Sequence, residues 1–269
     1  MLAAYRKVRL YGGPVNRVIR RITKMRNEVL TISLIFAVAS TALSNPIALN
    51  SVFSQGSLQQ SQATRETNEF IKRLQDEKFR DIFGGSTWTL IHDYKDYKHM
   101  DEVLHTLQRY MEALAKYEQG DGSSLKQLGG IKQLKDQLAV WLEDNDQAIR
   151  AFAATMLGVS GDQAYSPLLA KLLVRKEQNA DDIIYDRGRV ALALGLLQAK
   201  EYGKDLVTML SSANEYDRTG AALGLGWMGD KENAKAVAQL LKDKDERIRE
   251  AAKQSLEMMG ASDLIKEKK

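Results

Sequence analysis

No cysteine occurs among the 269 residues, which excludes disulfides, thiolate metal sites, a cysteine nucleophile and a lipid-modified N-terminal cysteine. It assigns no compartment, because exported proteins without disulfides are common. Proline occurs only 3 times and β-branched runs are scarce beyond the N-terminus. Ala, Leu, Lys, Glu and Gln dominate instead, so helix is the expected state nearly throughout. With 44% hydrophobic and 28% charged residues, the chain can bury a sizeable core and is neither disordered nor collagen-like.

Histidine is nearly as scarce. All 3 histidines, His92, His99 and His105, lie in the first half of the chain. His92, Asp96 and His99 have the i, i+4, i+7 spacing that would place two imidazoles and a carboxylate on one helical face, a conceivable metal site. The same residues also fit an exposed connecting segment rich in tyrosine and lysine, and no metal is assigned. A Gly-x-Ser-x-Gly nucleophile motif is missing, and no histidine stands near a suitable serine and aspartate set. Gly224-Leu-Gly226-Trp-Met-Gly229 reproduces the glycine spacing of a dinucleotide site. It lies inside a helical pattern with no strand before it, so it reads as helix packing followed by a turn. No catalytic residue and no cofactor is expected.

No uncharged apolar run reaches the 20 or so residues needed to cross a bilayer. The longest candidate is Val29 to Ser44, preceded by Arg6, Lys7, Arg9, Arg17, Arg20, Arg21, Lys24 and Arg26 against the single acid Glu28. A basic region followed by an apolar region is the layout of a secretory signal, with small residues for cleavage at Ala37/Ala39 and Ala42/Ser44. Because the chain stays uncharged until Arg65, a retained anchor over 29–44 is the other reading, and the start at Met1 or at Met25 is left open. The expected location is outside the cytoplasm, periplasmic or secreted, with any membrane contact made through this segment. The formal charge of +4 belongs to the leader: without residues 1–44 the chain has 31 bases against 34 acids. A mildly acidic chain lacks the footprint that nucleic-acid binding needs.

Residues 45–63 are rich in Ser, Gln and Asn and read as a flexible tether. An N-terminal helical segment over 64–120 comes next. Phe70, Ile71, Leu74, Ile82 and Phe83 recur at helical spacing up to Gly84-Gly85, and Val103, Leu104, Leu107, Tyr110, Met111, Leu114 and Tyr117 form a second stripe. Residues 125–263 repeat, and the N-terminal segment is expected to pack on the first repeat. Arg150, Arg187, Arg218 and Arg249 align in one column, with Leu157, Leu194, Leu225 and Leu256 seven residues on and Leu142, Leu173, Leu210 and Leu241 upstream. The arginine spacings are 37, 31 and 31, and each unit carries two apolar stripes and hence two helices. The longer spacing marks a six-residue insertion within Val174–Asp181. Small residues at Ala151/Gly188/Thr219, Ala154/Ala191/Ala222 and Gly158/Gly195/Gly226 are replaced in the last unit by Glu250, Lys253 and Glu257, the polar face of a terminal cap. The expected fold is an all-α solenoid of about four helix pairs behind an N-terminal helical segment, ending in a charged tail over 264–269. Ion pairs and helix caps between the column arginines and Asp146, Asp186, Asp217 and Asp245 are expected to ladder along it.

Asp245-Glu-Arg-Ile-Arg249-Glu-Ala-Ala252-Lys-Gln-Ser-Leu256 and Asp217-Arg218-Thr-Gly-Ala-Ala-Leu-Gly-Leu-Gly-Trp-Met-Gly-Asp230 resemble the second helix of HEAT repeats of the short phycobilin-lyase-type class. The resemblance implies a scaffold for protein contacts and no particular activity. Some HEAT proteins resembling deoxyhypusine hydroxylase bind iron through His-Glu pairs inside the repeats. That activity is excluded by the lack of histidine after His105. Two alternatives remain: a lyase-type or tetrapyrrole-binding protein, and a structural assembly subunit of an envelope complex. The expected contact patch for a protein partner is Tyr185 and Tyr216, equivalent positions of adjacent units about 10 Å apart at normal helix spacing, with the inserted residues Lys176, Glu177, Gln178 and Asn179. The competing expectation for each ring is burial in place of the isoleucine that precedes the arginine in other units.

Overall fold

The structure is a computed structural model that describes residues 62–76, 78–79, 82, 97–174 and 186–266. The leader, the tether, His92, Asp96, the side chain of His99, Lys176 to Asn179 and Tyr185 lie outside the described residues. Of the described residues, 104–124 belong to one compact unit and the remainder to a second. The first holds most of α2 (Tyr97–Glu118). Its stripe of Leu104, Leu107, Tyr110, Met111 and Leu114 is buried, as the helical spacing requires. Gly120, at φ 93, turns the chain after the helix.

The second unit is the solenoid. Its first pair is α4 (Gly130–Trp141) and α5 (Gln147–Ser160), preceded by the short α3 (Ser123–Gln127); the second is α6 (Ser166–Leu173) and α7 (Asp186–Leu196). A third pair is α8 (Gly203–Met209) and α9 (Glu215–Met228). In the fourth, α10 (Ala234–Val237) continues as a 3-10 turn over Ala238–Lys242 and is followed by α11 (Glu246–Met258), with the one-turn α12 (Asp263–Lys266) after it. The first helices of pairs two to four each open with a 3-10 turn, at Gln163–Tyr165, Lys200–Tyr202 and Lys231–Asn233.

The second helices stack in chain order, α5 on α7, α7 on α9 and α9 on α11, and each first helix lies against its own partner. Burial follows that order. Every residue of α5 from Ala148 to Val159 is buried, which a helix with neighbours on all sides needs its sequence to permit. The α7–α9 seam is closest. A methyl group on Gly195 would overlap the backbone of Gly224, and one on Gly220 would overlap that of Gly188, so these positions admit no side chain. Eleven residues beyond each column arginine the chain turns through a left-handed residue that ends the second helix: Gly161, Gln198, Gly229 and Gly260. Gln198 is the single residue other than glycine with positive φ among those described.

The end of the stack is polar. Glu250, Lys253 and Glu257 are exposed, whereas the equivalent Ala154, Gly158, Ala191, Gly195, Ala222 and Gly226 are buried. Lys253 pairs with Glu250 at 3.0 Å. At the other end, α1 (Gln62–Gln75) packs on α4 and α5 through Thr67 and Phe70, so residues 62–75 cover the first pair as expected. The helix does not run on to Phe83. Asp76 ends it, and its Oδ1 accepts from Lys78 N at 2.9 Å, capping a new turn that brings Phe79 inward.

A chain ended at Asp230 loses α11, whose Ser255 and Met258 press on Gly226. Because repeats are stabilised by their neighbours, the shortened chain should melt at a lower temperature and aggregate on gel filtration. A monomer with an unchanged midpoint would contradict this stacking register.

Candidate interaction surface

The column arginines build the scaffold that holds the surface. Arg150 donates Nη1 to Asp144 O at 2.8 Å and Asn145 O at 3.0 Å, carbonyls of the turn before its own helix. Its Nε reaches across to Asp186 of the next pair at 2.6 Å. Arg187 pairs in the same way with Asp217, which also accepts from Ser212 Oγ at 2.8 Å. Arg218 binds Ser212 O and Ala213 O at 2.8 and 3.0 Å and pairs with Asp243 at 2.8 Å. The ladder therefore exists, with one change of partner. The residue before Arg249 is the buried Ile248, which leaves the turn residue Asp243 to supply the third carboxylate. Asp245 instead caps α11, accepting from Arg247 N at 2.8 Å, as Asp146 caps α5 and Asn214 caps α9. The Arg247 side chain and that cap bond together hold the Asp245 carboxyl down at about 2. Burial raises the Asp243 carboxyl, but the bonds from Arg218 and the Asp245 N–H outweigh it and leave it below its ordinary value.

Between α7 and α9 runs a groove of about 230 Å³. Leu192 of α7 and Leu223 of α9 give it apolar lining, and Gly188 and Gly220 let it reach the backbone. Its edges are Arg189, Glu215, Tyr216, Thr219 and Arg247. Glu215 and Arg247 are joined at 3.0 Å across the α9–α11 boundary. Tyr216 is 39% exposed. It does not take the isoleucine's place: the residue directly before the arginine is Ile149, Asp186, Asp217 or Ile248, and all four are buried. Tyr216 stands one residue earlier, level with the buried Ala148 and the exposed Arg247, where the chain turns toward solvent.

The same row of apolar residues continues under the N-terminal segment. Phe79 is buried in a cluster with Val159, Leu192 and Leu196, flanked by Leu74, Ile82, Leu223 and Trp227. Its ring stacks on Trp227 with centroids 5.3 Å apart and an interplanar angle of 20°. The Arg73 guanidinium lies over the Phe79 ring, 4.9 Å from its centroid, and donates to Leu196 O at 3.4 Å. Phe79, with Leu74 and Ile82 beside it, thus already occupies one stretch of the second-helix face, and Leu192 and Leu223 belong both to that stretch and to the groove. Nearer the first pair, the buried Lys135 pairs with Asp162 at 2.5 Å and Glu66 at 3.5 Å, tying α1 to the turn after α5.

Of the expected contact residues, Tyr216 is the one among the described residues, and it stands at the rim of the groove. The spacing that suggests a metal site falls outside them; among the described residues no group of three metal-ligating side chains converges. No helix among the described residues is long and apolar enough to cross a membrane. Sequence reading missed the groove's floor, because Leu192 and Leu223 look like any core leucine in a helical pattern.

Replacing Asp217 by Ala would strand Arg187 beside a buried, empty position and free Ser212. Removing one member of such a pair costs about 3 kcal/mol, so urea denaturation should show a loss of that order, with Asp217→Asn milder because it still accepts from Ser212.

Residues 177–257 match the family model for HEAT repeats. No curated protein matches the chain. The matched stretch takes in the second helix of the second pair, all of the third pair and nearly all of the fourth, with the groove and the Arg187 and Arg218 rungs, so the all-α solenoid is of HEAT type, and HEAT repeats are in general scaffolds for protein contacts.

Proposed function

We propose that the chain is a non-enzymatic scaffold that binds a protein partner outside the cytoplasm, in the cell envelope, and that the partner seats in the groove at Tyr216. The observation that carries this reading is the 39% exposure of Tyr216 beside apolar lining from Leu192 and Leu223. A tyrosine in that position offers a large apolar body and a polar tip, the combination that anchors protein interfaces. Tyr185 and residues Lys176 to Asn179 are assigned to the same patch by the repeat alignment, in which Tyr185 is the counterpart of Tyr216 and the insertion adjoins it. The envelope location rests on the basic stretch before Val29 and the uncharged run to Ser44.

The Tyr185→Ala/Tyr216→Ala double variant should lose capture of the native partner while its helical circular dichroism and melting temperature stay nearly unchanged. Capture that survives the double change would place the interface elsewhere.

Location has its own test. N-terminal sequencing of the native protein should find a first residue near 40 or 45, in an envelope or secreted fraction. Intact Met1 recovered from a soluble cytoplasmic fraction would overturn the export reading and leave the groove's role untouched.

A further inference from the structure

The four column arginines are equivalent in the repeat, and two of them show the same two attachments in full. Arg150 and Arg218 fix Nη1 on the two carbonyls six and five residues before them, and turn Nε toward an aspartate at or near the start of the next second helix, Asp186 at 2.6 Å and Asp243 at 2.8 Å. Arg187 makes the second attachment, turning Nε and Nη2 toward Asp217. Arg249 has the first attachment in full: Nη1 donates to Asp243 O at 2.9 Å and Lys244 O at 3.0 Å. It lacks the second. Among the described residues no carboxylate meets its Nε or Nη2.

We propose that Arg249 is a receptor for an aspartate of a partner protein, which takes the position that Asp186, Asp217 and Asp243 take for the three preceding arginines. Three neighbouring acids are engaged elsewhere, Asp243 with Arg218, Asp245 with Arg247 and Glu250 with Lys253. Two carbonyls hold the guanidinium in the orientation used by the filled rungs, so little side-chain freedom is lost when a carboxylate arrives. The remaining two donors form a planar fork that suits both oxygens of one carboxylate. Each internal rung is filled by an aspartate whose backbone sits within three residues of the start of a second helix, and this is why a protein side chain is the assigned source rather than a free carboxylate. The site lies on the last repeat, apart from the Tyr216 groove, and does not depend on what the groove binds.

The test uses the full chain with arginine Nε labelled with ¹⁵N. The probe is a peptide copying residues 211–220, Ser-Ser-Ala-Asn-Glu-Tyr-Asp-Arg-Thr-Gly, which contains the aspartate that fills Arg187, beside the same peptide with that aspartate changed to Asn. The Arg249 Nε–H signal should shift and saturate with the aspartyl peptide at least tenfold below the concentration needed with the asparaginyl one. Arg249→Lys identifies the Arg249 signal by removing it, and the signal of the exposed Arg65 should not shift with the peptide. Equal responses to both peptides, or an Arg249 that moves no more than Arg65, would overturn the site. Sodium acetate acting as well as the aspartyl peptide at equal concentration would overturn the assignment to a protein side chain, and sodium chloride acting as well as acetate would reduce the response to charge screening.

Discussion

One arginine per repeat ties the inside of its repeat, the joint to the next repeat, or both. Through Nη1 each of Arg150, Arg218 and Arg249 closes the turn between the two helices of its own pair. With their other donors, Arg150, Arg187 and Arg218 grip a carboxylate of the next pair. The guanidinium and its carboxylate are largely withdrawn from water at the first rung, where both side chains are 4% exposed. Such a pair is not strongly stabilising by itself, because desolvation offsets much of the attraction. What it supplies is register: a helix displaced by one turn would leave a buried charge without its counter-ion. The stacking order of the solenoid is therefore fixed by a polar contact and filled by apolar ones.

The apolar filling is unusually thin. Where α7 meets α9, glycine faces glycine and the two backbones touch, so there is little side-chain volume to specify the approach. This closeness leaves a groove between α7 and α9, lined by Leu192 and Leu223, which also pack in and against the Phe79 cluster. The groove is thus a by-product of the small residues that the stack requires. A bulkier seam would have no groove.

Repetition makes most of this readable from sequence. The arginine column places all four second helices, the spacing from Leu173 to Arg187 reveals the insertion, and Glu250, Lys253 and Glu257 mark the terminal face. Features that break the repeat are harder to see. Asp243 replaces an acid that the alignment would put at position 248, and only the buried Ile248 explains why. The tyrosine's neighbours are also hidden, since a groove depends on which leucines the next helix leaves uncovered. Asp76 sits within an apolar pattern that continues past it, so periodicity carries the helix beyond the point where side-chain capping ends it.

The Phe79–Trp227 stack also has a consequence for how the chain acquires its structure. Helix pairs can form from local contacts as soon as each pair and its neighbour exist, whereas the stack of Phe79 on Trp227 must wait for the third pair. On a ribosome the phenylalanine is synthesised long before its tryptophan, and the loop that joins them is closed only after the repeats between are in place. Contacts of this separation slow folding because chain entropy is lost before they form. The stack is then the last contact of the Phe79 cluster to form, and a nascent chain halted before Trp227 can hold Phe79 only against Val159, Leu192 and Leu196.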